Sequence, residues 1–172
     1  LYNYYTPNGY PCGCANTAAG QVMRYFEYPT DGIGVQNFGY KVDGVAVSSD
    51  TRGGDGKGGP YNWAGMPPKP DASITDAQRQ NIGALLYDLG IASESSYTPA
   101  ATGTTLPDVM GAMREVFGYE NVMLLVNVDD NPQNRPLPLD LLRRAMNSDL
   151  DAALPVILGI TDIGGESGHG VV

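Results

Sequence analysis

The sequence predicts an α+β fold built as one domain, and three observations support this prediction. The chain has 172 residues, a length typical of a single domain. Apolar residues make up 42% of it and charged residues only 17%, a composition typical of a folded globular protein. Helical patterns come first along the chain and strand patterns come last. That order favours an α+β arrangement over an alternating βαβ one.

The charge balance excludes several classes of partner. Ten basic and nineteen acidic residues give a formal net charge of -9. A surface this acidic does not favour binding to a nucleic-acid backbone or to an anionic membrane. No apolar run approaches the roughly 18 residues that a membrane-spanning helix needs. We therefore expect that the protein neither binds nucleic acid nor spans a membrane.

The first helix is predicted over residues 14–27. Its apolar residues recur at helical spacing, and they are Ala15, Ala18, Ala19, Val22, Met23 and Phe26. Pro29 restricts the residue before it and so ends the helix. Because one wide face of this helix is almost entirely apolar, we expect it to lie in the centre of the domain.

Residues 31–70 form a glycine-rich region. Ten of the 23 glycines lie between Asp31 and Met66, so we expect loops and short hairpins here. The alternation over Gly39–Val45 predicts one such hairpin. Residues Tyr61–Trp63 contain the single tryptophan. We interpret them as an aromatic plug under the glycine-rich region and not as a ligand contact.

The remaining elements have clearer boundary signals. Thr75 followed by Gln78 is a capping box that opens a second helix, which Gly90 is expected to end. A third helix is predicted from Leu106-Pro107 to Gly118. The later elements are a buried strand over 121–128, a helix over 137–146, a strand over 155–161, a glycine loop over 163–168 and a strand that begins at His169.

One pair of residues could carry chemistry. Cys14 lies at the start of the first helix, where the free amides and the helix dipole favour a thiolate. His169 is the only histidine and lies 155 residues later, at the start of a strand. A cysteine at a helix N-terminus facing a histidine on a strand is the arrangement of a thiolate–imidazolium pair. The small residues beside both positions, Gly13, Ala15, Gly168 and Gly170, would let a substrate backbone approach closely.

Simpler interpretations remain open at this point. A cysteine in a buried helix is often only a small apolar residue, and a histidine beside glycines is often only a loop residue. Cys12, Cys14 and His169 could instead supply three ligands of a zinc site, although zinc prefers four. A Cys12–Cys14 disulfide would close a strained ring and is not expected to staple the structure. The residues alone give no role to Cys12.

The segment GCANTAAGQVMRYFEYP over residues 13–29 resembles the nucleophile segment of streptopain-like cysteine peptidases. That family has Gly-Cys, then small residues, then Gln-Ile/Val-Met-Lys/Arg-Tyr, then Tyr-Pro. Further similarities follow in the same order along almost the whole chain, at Tyr2-Asn3, Tyr61-Asn62-Trp63, Asp88–Ile91, Phe117–Tyr119, Pro155-Val156 and Gly168-His169.

The resemblance implies a papain-like two-part fold. A helical half carrying the nucleophile helix would pack on an antiparallel sheet half carrying the histidine. Cys14 would be the nucleophile and its N–H an oxyanion donor, and His169 would be the general base and acid. The loop over residues 97–104 would bind substrate through Gly103 and Thr104, and Gly168 would offer backbone to it. The resemblance also implies a secreted bacterial endopeptidase made as a zymogen, acting on peptides or proteins without a metal or other cofactor.

Two parts of the family pattern do not occur in residues 1–172. Family members carry a glutamine before the Tyr-Asn pair and an Asn-Trp segment after the histidine strand. We therefore expect one peptidase domain that is truncated at both ends, and that an N-terminal propeptide or a second chain would complete. In this form it could be inactive. The alternative is a non-catalytic secreted binding domain on the same scaffold.

Overall fold

A computed structural model describes residues 2–126, 137–161 and 168–172 of the chain. Four α-helices occur in this part: α1 (Cys14–Phe26), α2 (Asp76–Ala92), α3 (Leu106–Glu115) and α4 (Leu139–Asp151). The strands are β1 (Asn37–Val42), β2 (Val45–Asp50), β3 (Ser96–Tyr97), β4 (Thr102–Gly103), β5 (Leu158–Thr161) and β6 (Gly168–Val171). The α+β class is confirmed. The expected order, with all helices before the strands, is not confirmed, because the β1–β2 hairpin lies between the first two helices.

The core lies where α1 packs against α2 and α3. Met23 of α1 and Leu89 of α2 are completely buried in it, and Val109 of α3 is almost so. The first helix occupies its predicted span and ends where Glu27 takes a left-handed conformation, with φ of 50°. The aromatic plug is confirmed, since Tyr61 and Trp63 are buried in this core beside Phe117.

The second helix begins at its predicted capping box but does not end at Gly90. Thr75 accepts from the Gln78 amide, and the Gln78 side chain accepts from the Thr75 amide. The helix continues to Ala92. Gly90 has another role, because a Cβ at this position would overlap the hydroxyl of Tyr97. It is a packing glycine that lets β3 approach the helix.

The predicted hairpin is longer than its sequence pattern. β1 and β2 pair from Val42–Val45 out to Asn37–Asp50. The turn between them is made by Asp43 and Gly44, both with positive φ, as a two-residue hairpin turn requires. Two-residue strands extend this pair into a mixed four-stranded sheet of order β2-β1-β3-β4, in which β3 runs parallel to β1. The sequence analysis did not foresee this sheet.

Asp88 ties the glycine-rich segment to α2. It is fully buried, and its carboxylate accepts from the amides of Arg52 (2.6 Å) and Gly53 (2.8 Å) and from the hydroxyl of Tyr61 (2.6 Å). Burial raises the pKa of Asp88, and the three donors oppose that shift. One carboxylate therefore holds two separate parts of the glycine-rich region in place.

The C-terminal part confirms three predicted elements and corrects one. The helix predicted over 137–146 forms as α4, which runs to Asp151. The predicted C-terminal strands form β5 and β6, an antiparallel pair in which Ile160 faces His169. Residues 121–126, predicted as a buried strand, are not strand, and Met123 is 79% exposed. An apolar run forms a strand only when another strand pairs with it, and among the described residues none pairs here.

Parts of two predictions lie outside the described residues. These are the last two positions of the strand predicted over 121–128, and residues 163–167 of the predicted glycine loop. Among the described helices, none is long and apolar enough to cross a membrane.

Candidate active site

The structure brings the strand that carries His169 to the residue predicted as nucleophile. The amide of Gly170 in β6 donates a hydrogen bond to Cys14 Sγ at 3.3 Å. The Cα of His169 is separated from that nitrogen by two covalent bonds of about 1.5 and 1.3 Å, so it lies within about 6 Å of the sulfur. Residues 155 positions apart in the sequence are therefore neighbours in the fold.

Gly170 is small because α1 passes directly against it. A Cβ on Gly170 would lie 2.9 Å from the Cα of Ala15 and 3.2 Å from its nitrogen. The sequence analysis expected this glycine to make room for a substrate backbone. Instead, its missing side chain makes room for the first turn of α1, and this contact allows the hydrogen bond to Cys14.

Cys14 occupies the first position of α1. The preceding residue, Gly13, has φ of 91° and ψ of 146°, a conformation open in practice only to glycine. The Gly13 carbonyl accepts from the amide of Thr17 at 3.0 Å and from its hydroxyl at 2.8 Å. The amides of the first helical turn have no acceptor within the helix. Cys14 is partly exposed at this end of the helix.

Cys12 lies in a different environment from Cys14. Its side chain is buried, and Sγ lies 3.1 Å from the hydroxyl of Thr17. Either group can be the donor in this contact, and Sγ also lies 3.8 Å from the carbonyl oxygen of Gly13. Burial raises the pKa of the Cys12 thiol above its ordinary value. Cys12 is thus a protonated packing residue that supports the start of α1.

The predicted substrate loop over residues 97–104 is partly a strand pair. Gly103 pairs with Ser96, is exposed, and has open space where a Cβ would be. Thr104 is half-buried and donates its hydroxyl proton to the carbonyl of Ser93 at 2.8 Å. Gly103 is therefore free to meet a ligand, whereas the Thr104 hydroxyl is already used within the fold.

Thr102 attaches this loop to the residues that precede Cys14. Its hydroxyl donates to the carbonyl of Pro11 at 2.5 Å, and its own carbonyl oxygen lies 3.0 Å from where a Cβ of Gly13 would be. Gly103 is consequently one residue from a direct contact with the Gly13–Cys14 segment. Gly168 begins β6, one residue before His169, and is exposed. Whether Gly103, Thr104 and Gly168 bind substrate stays a prediction.

Other features of this region carry less chemistry. Among residues 2–126, 137–161 and 168–172 there is no group of three or more histidine, cysteine or acidic side chains placed to hold a metal ion. The zinc alternative therefore gains no support there.

A cavity of about 350 Å³ opens between α1 and α2, one helical turn beyond Cys14, and its lining residues include Thr17, Gln21, Met66, Pro67 and Leu85.

Comparison with known proteins identifies the family. The profile described as Peptidase C10 family matches residues 1–172. The chain belongs to the Peptidase C10 family. This confirms the resemblance to streptopain-like cysteine peptidases that the sequence showed.

Curated relatives of this C10 chain are distant. It is 26% identical to streptopain of Streptococcus pyogenes over 128 residues, which cover 69% of this chain and 30% of that protein. It is 25% identical over 115 residues to the thiol protease/hemagglutinin PrtT of Porphyromonas gingivalis, covering 67% of this chain and 13% of that protein. The chain thus spans less than a third of the length of these relatives.

Solved structures share the C10 fold. The chain matches active wild-type interpain A cysteine protease of Prevotella intermedia with a TM-score of 0.76 and 24% identity, covering 98% of this chain and 69% of that one. It also matches a fragment of prointerpain A from the same organism, a cysteine-to-alanine mutant, with a TM-score of 0.70 and 26% identity. That match covers 92% of this chain and 47% of the fragment.

Sequence reasoning missed the residues that support this C10 site. Asn16 is completely buried in the first turn of α1, and the hydroxyls of Thr17 and Thr102 donate to the carbonyls of residues before Cys14. The sequence offered one signal, namely a polar Asn-Thr pair inside an otherwise apolar helix start. A buried asparagine is expected to have hydrogen-bond partners, and that expectation could have pointed to the network.

Proposed function

We propose that this protein is a cysteine endopeptidase that hydrolyses peptide bonds with Cys14 as nucleophile and His169 as general base and acid. The observation that carries the proposal is the hydrogen bond from Gly170 to Cys14, because it holds the histidine strand against the N-terminus of α1. Membership of the C10 family supports it. So does the packing of α1 on β6, the strand of the β5–β6 pair that carries His169, which fits a papain-like fold in two parts.

The proposed reaction has two steps. The Cys14 thiolate attacks the carbonyl carbon of a peptide bond, and the oxygen becomes an anion that the Cys14 N–H can stabilise. The imidazolium of His169 gives its proton to the leaving amine, and a thioester remains on Cys14. His169 then takes a proton from a water molecule that attacks the thioester. The acid product leaves and the thiolate is restored.

The broader proposal follows the family resemblance. The protein would be secreted by a bacterium as a zymogen and would act on peptide or protein substrates, binding them between β4 and β6 through Gly103 and Gly168. Residues 1–172 would form one peptidase domain, and a propeptide or a second chain would be its partner. The chemistry described needs no cofactor.

The reactivity of the two cysteines tests the ion pair directly. We expect iodoacetamide to alkylate Cys14 rapidly at acid pH, where an ordinary thiol with a pKa of about 8.5 is unreactive. Cys12 should stay unmodified in the folded protein, because it is buried and protonated. The measurement is the alkylation rate of each cysteine against pH, read by peptide mass spectrometry.

His169→Ala provides the matched control for this experiment. The variant should remove the reactivity of Cys14 at acid pH and leave its reactivity near pH 9 unchanged. If Cys14 in the wild-type chain reacts only at the pH of an ordinary thiol, the ion pair is not assembled. Peptide cleavage by the full-length protein, lost in Cys14→Ala, then decides between a peptidase and a non-catalytic binding domain.

A further inference from the structure

The side chain of Asn16 joins the nucleophile segment to the end of α2. It is completely buried and makes three hydrogen bonds. Its amide nitrogen donates to the carbonyl of Cys12 and to the hydroxyl of Ser95, both at 2.9 Å, and its oxygen accepts from the hydroxyl of Ser93 at 3.0 Å. The two serine hydroxyls lie 3.1 Å apart. A buried network in which every member is bonded specifies one local geometry.

This network fixes the peptide plane before Gly13. The Cys12 carbonyl cannot turn without breaking its bond to Asn16, so the N–H of Gly13 on the same plane is fixed as well. The next plane, between Gly13 and Cys14, is held through its own carbonyl, which accepts twice from Thr17. Gly13 connects the two planes in a conformation that other residues rarely adopt.

The orientation of the second plane determines where the Cys14 N–H points. Its carbonyl oxygen points along α1 toward Thr17. In a trans peptide the N–H is antiparallel to the carbonyl. The N–H of Cys14 therefore points out of the N-terminal end of α1, where Cys14 is partly exposed. A donor contributes to transition-state stabilisation only when it is held in place before the charge develops.

We propose that Asn16 is a positioning residue for the Cys14 amide and that Thr17 shares this role. The inference rests on the proposed peptidase function, in which that amide stabilises the oxyanion. Asn16 acts on the Cys12–Gly13 plane and Thr17 on the Gly13–Cys14 plane. Neither side chain touches the reacting atoms. The network with Ser93 and Ser95 anchors Asn16 to the end of α2.

Two probes distinguish an effect on the Cys14 amide from an effect on the Cys14 thiolate. A peptide aldehyde adds to Cys14 as a hemithioacetal whose oxygen occupies the oxyanion position, so its affinity reports on the amide. Iodoacetamide is attacked at a saturated carbon and forms no oxyanion, so its rate reports only on the thiolate. In the full-length protein, we expect Asn16→Ala to lower kcat about 10- to 100-fold and to weaken aldehyde inhibition by a similar factor. The alkylation rate of Cys14 should stay within about twofold of the wild-type rate, which corresponds to only a small difference in free energy.

Thr17 offers a conservative rescue within the same experiment. Thr17→Val keeps the shape of the side chain but removes the donor to Gly13, and it should reproduce the loss seen in Asn16→Ala. Thr17→Ser keeps the hydroxyl and should retain the wild-type kcat. Asp88→Asn is the control for lost stability, because Asp88 lies away from the nucleophile segment. Assayed below its unfolding temperature, it should change neither kcat nor aldehyde affinity.

The outcomes distinguish this inference from the proposed function. If Asn16→Ala cleaves peptides at the wild-type rate, or loses alkylation together with kcat, Asn16 does not position the amide. If the Thr17→Val and Thr17→Ser variants behave alike, the role given to Thr17 is wrong. If the wild-type full-length protein cleaves no peptide bond, the proposed function fails and this inference fails with it.

Discussion

Gly170→Leu is expected to abolish the proposed peptidase activity, with a fall in kcat/KM of at least about 100-fold. Even a Cβ on Gly170 would lie 2.9 Å from the backbone of Ala15, and a leucine side chain adds three more carbons in the same direction. The first turn of α1 is anchored in the core and cannot retreat, so β6 must move outward. His169 moves with it, away from the Cys14 sulfur.

The expected signature is a loss of activity without a loss of the core. Far-UV circular dichroism and the urea midpoint should change little, because the buried residues of α1, α2 and α3 pack against one another and none of the described core residues belongs to β6. Alkylation of Cys14 at acid pH should fall to the level of His169→Ala. Val171→Leu is the control, since Val171 is partly exposed and points to the opposite face of the same strand. A Gly170→Leu variant that cleaves peptides at the wild-type rate would contradict the packing described for β6.

Asp88→Asn is expected to lower the free energy of unfolding by about 3 kcal/mol. The two side chains have the same shape, but the carboxylate of Asp88 accepts from three donors. An asparagine amide turns one acceptor oxygen into a donor, which then faces the backbone N–H of Arg52 or Gly53. A buried N–H without an acceptor costs about 1–3 kcal/mol, and the tie between α2 and the glycine-rich segment is lost as well.

Urea unfolding followed by tryptophan fluorescence measures this effect, because Trp63 is buried in the core beside Tyr61. Tyr61→Phe is the graded control. It removes one donor and leaves both amides satisfied, so we expect a loss of about 1 kcal/mol. If Asp88→Asn unfolds at the wild-type urea concentration, the carboxylate is not what holds the segment.

The elements with a local signal were predictable from the sequence. The start of α1 follows from the spacing of its apolar residues, and the start of α2 from the reciprocal bonds of Thr75 and Gln78. Cys14 and His169 were identified from residue type and position, and the fold brings their segments together. Elements whose boundaries depend on neighbouring residues can therefore be predicted from the sequence alone.

The errors have causes that the local residue pattern does not record, namely contacts with another element and strands too short to show a period. Gly90 resembles a helix end, but the reason for a glycine there is Tyr97, which packs against it. Residues 121–126 have the composition of a strand, and only the absence of a pairing strand in the described structure leaves them exposed. The two-residue strands β3 and β4 are too short for any periodicity to show. The role of Asn16 follows from its hydrogen bonds to Ser93 and Ser95, which lie almost 80 residues later in the chain.

The two halves of the proposed dyad are anchored very differently in the fold. Cys14 begins a helix whose next turns are buried against α2 and α3. His169, in the part of the chain that the structure describes, belongs to the β5–β6 pair, and two paired strands are marginal by themselves. Opening of β5–β6 alone would separate the histidine from the sulfur while the core stayed folded. Amides of β6 should then exchange with solvent through a smaller opening than those of α1. On warming, activity should disappear before the helical core melts, so the inactivation temperature would report the detachment of one hairpin and not the unfolding of the domain.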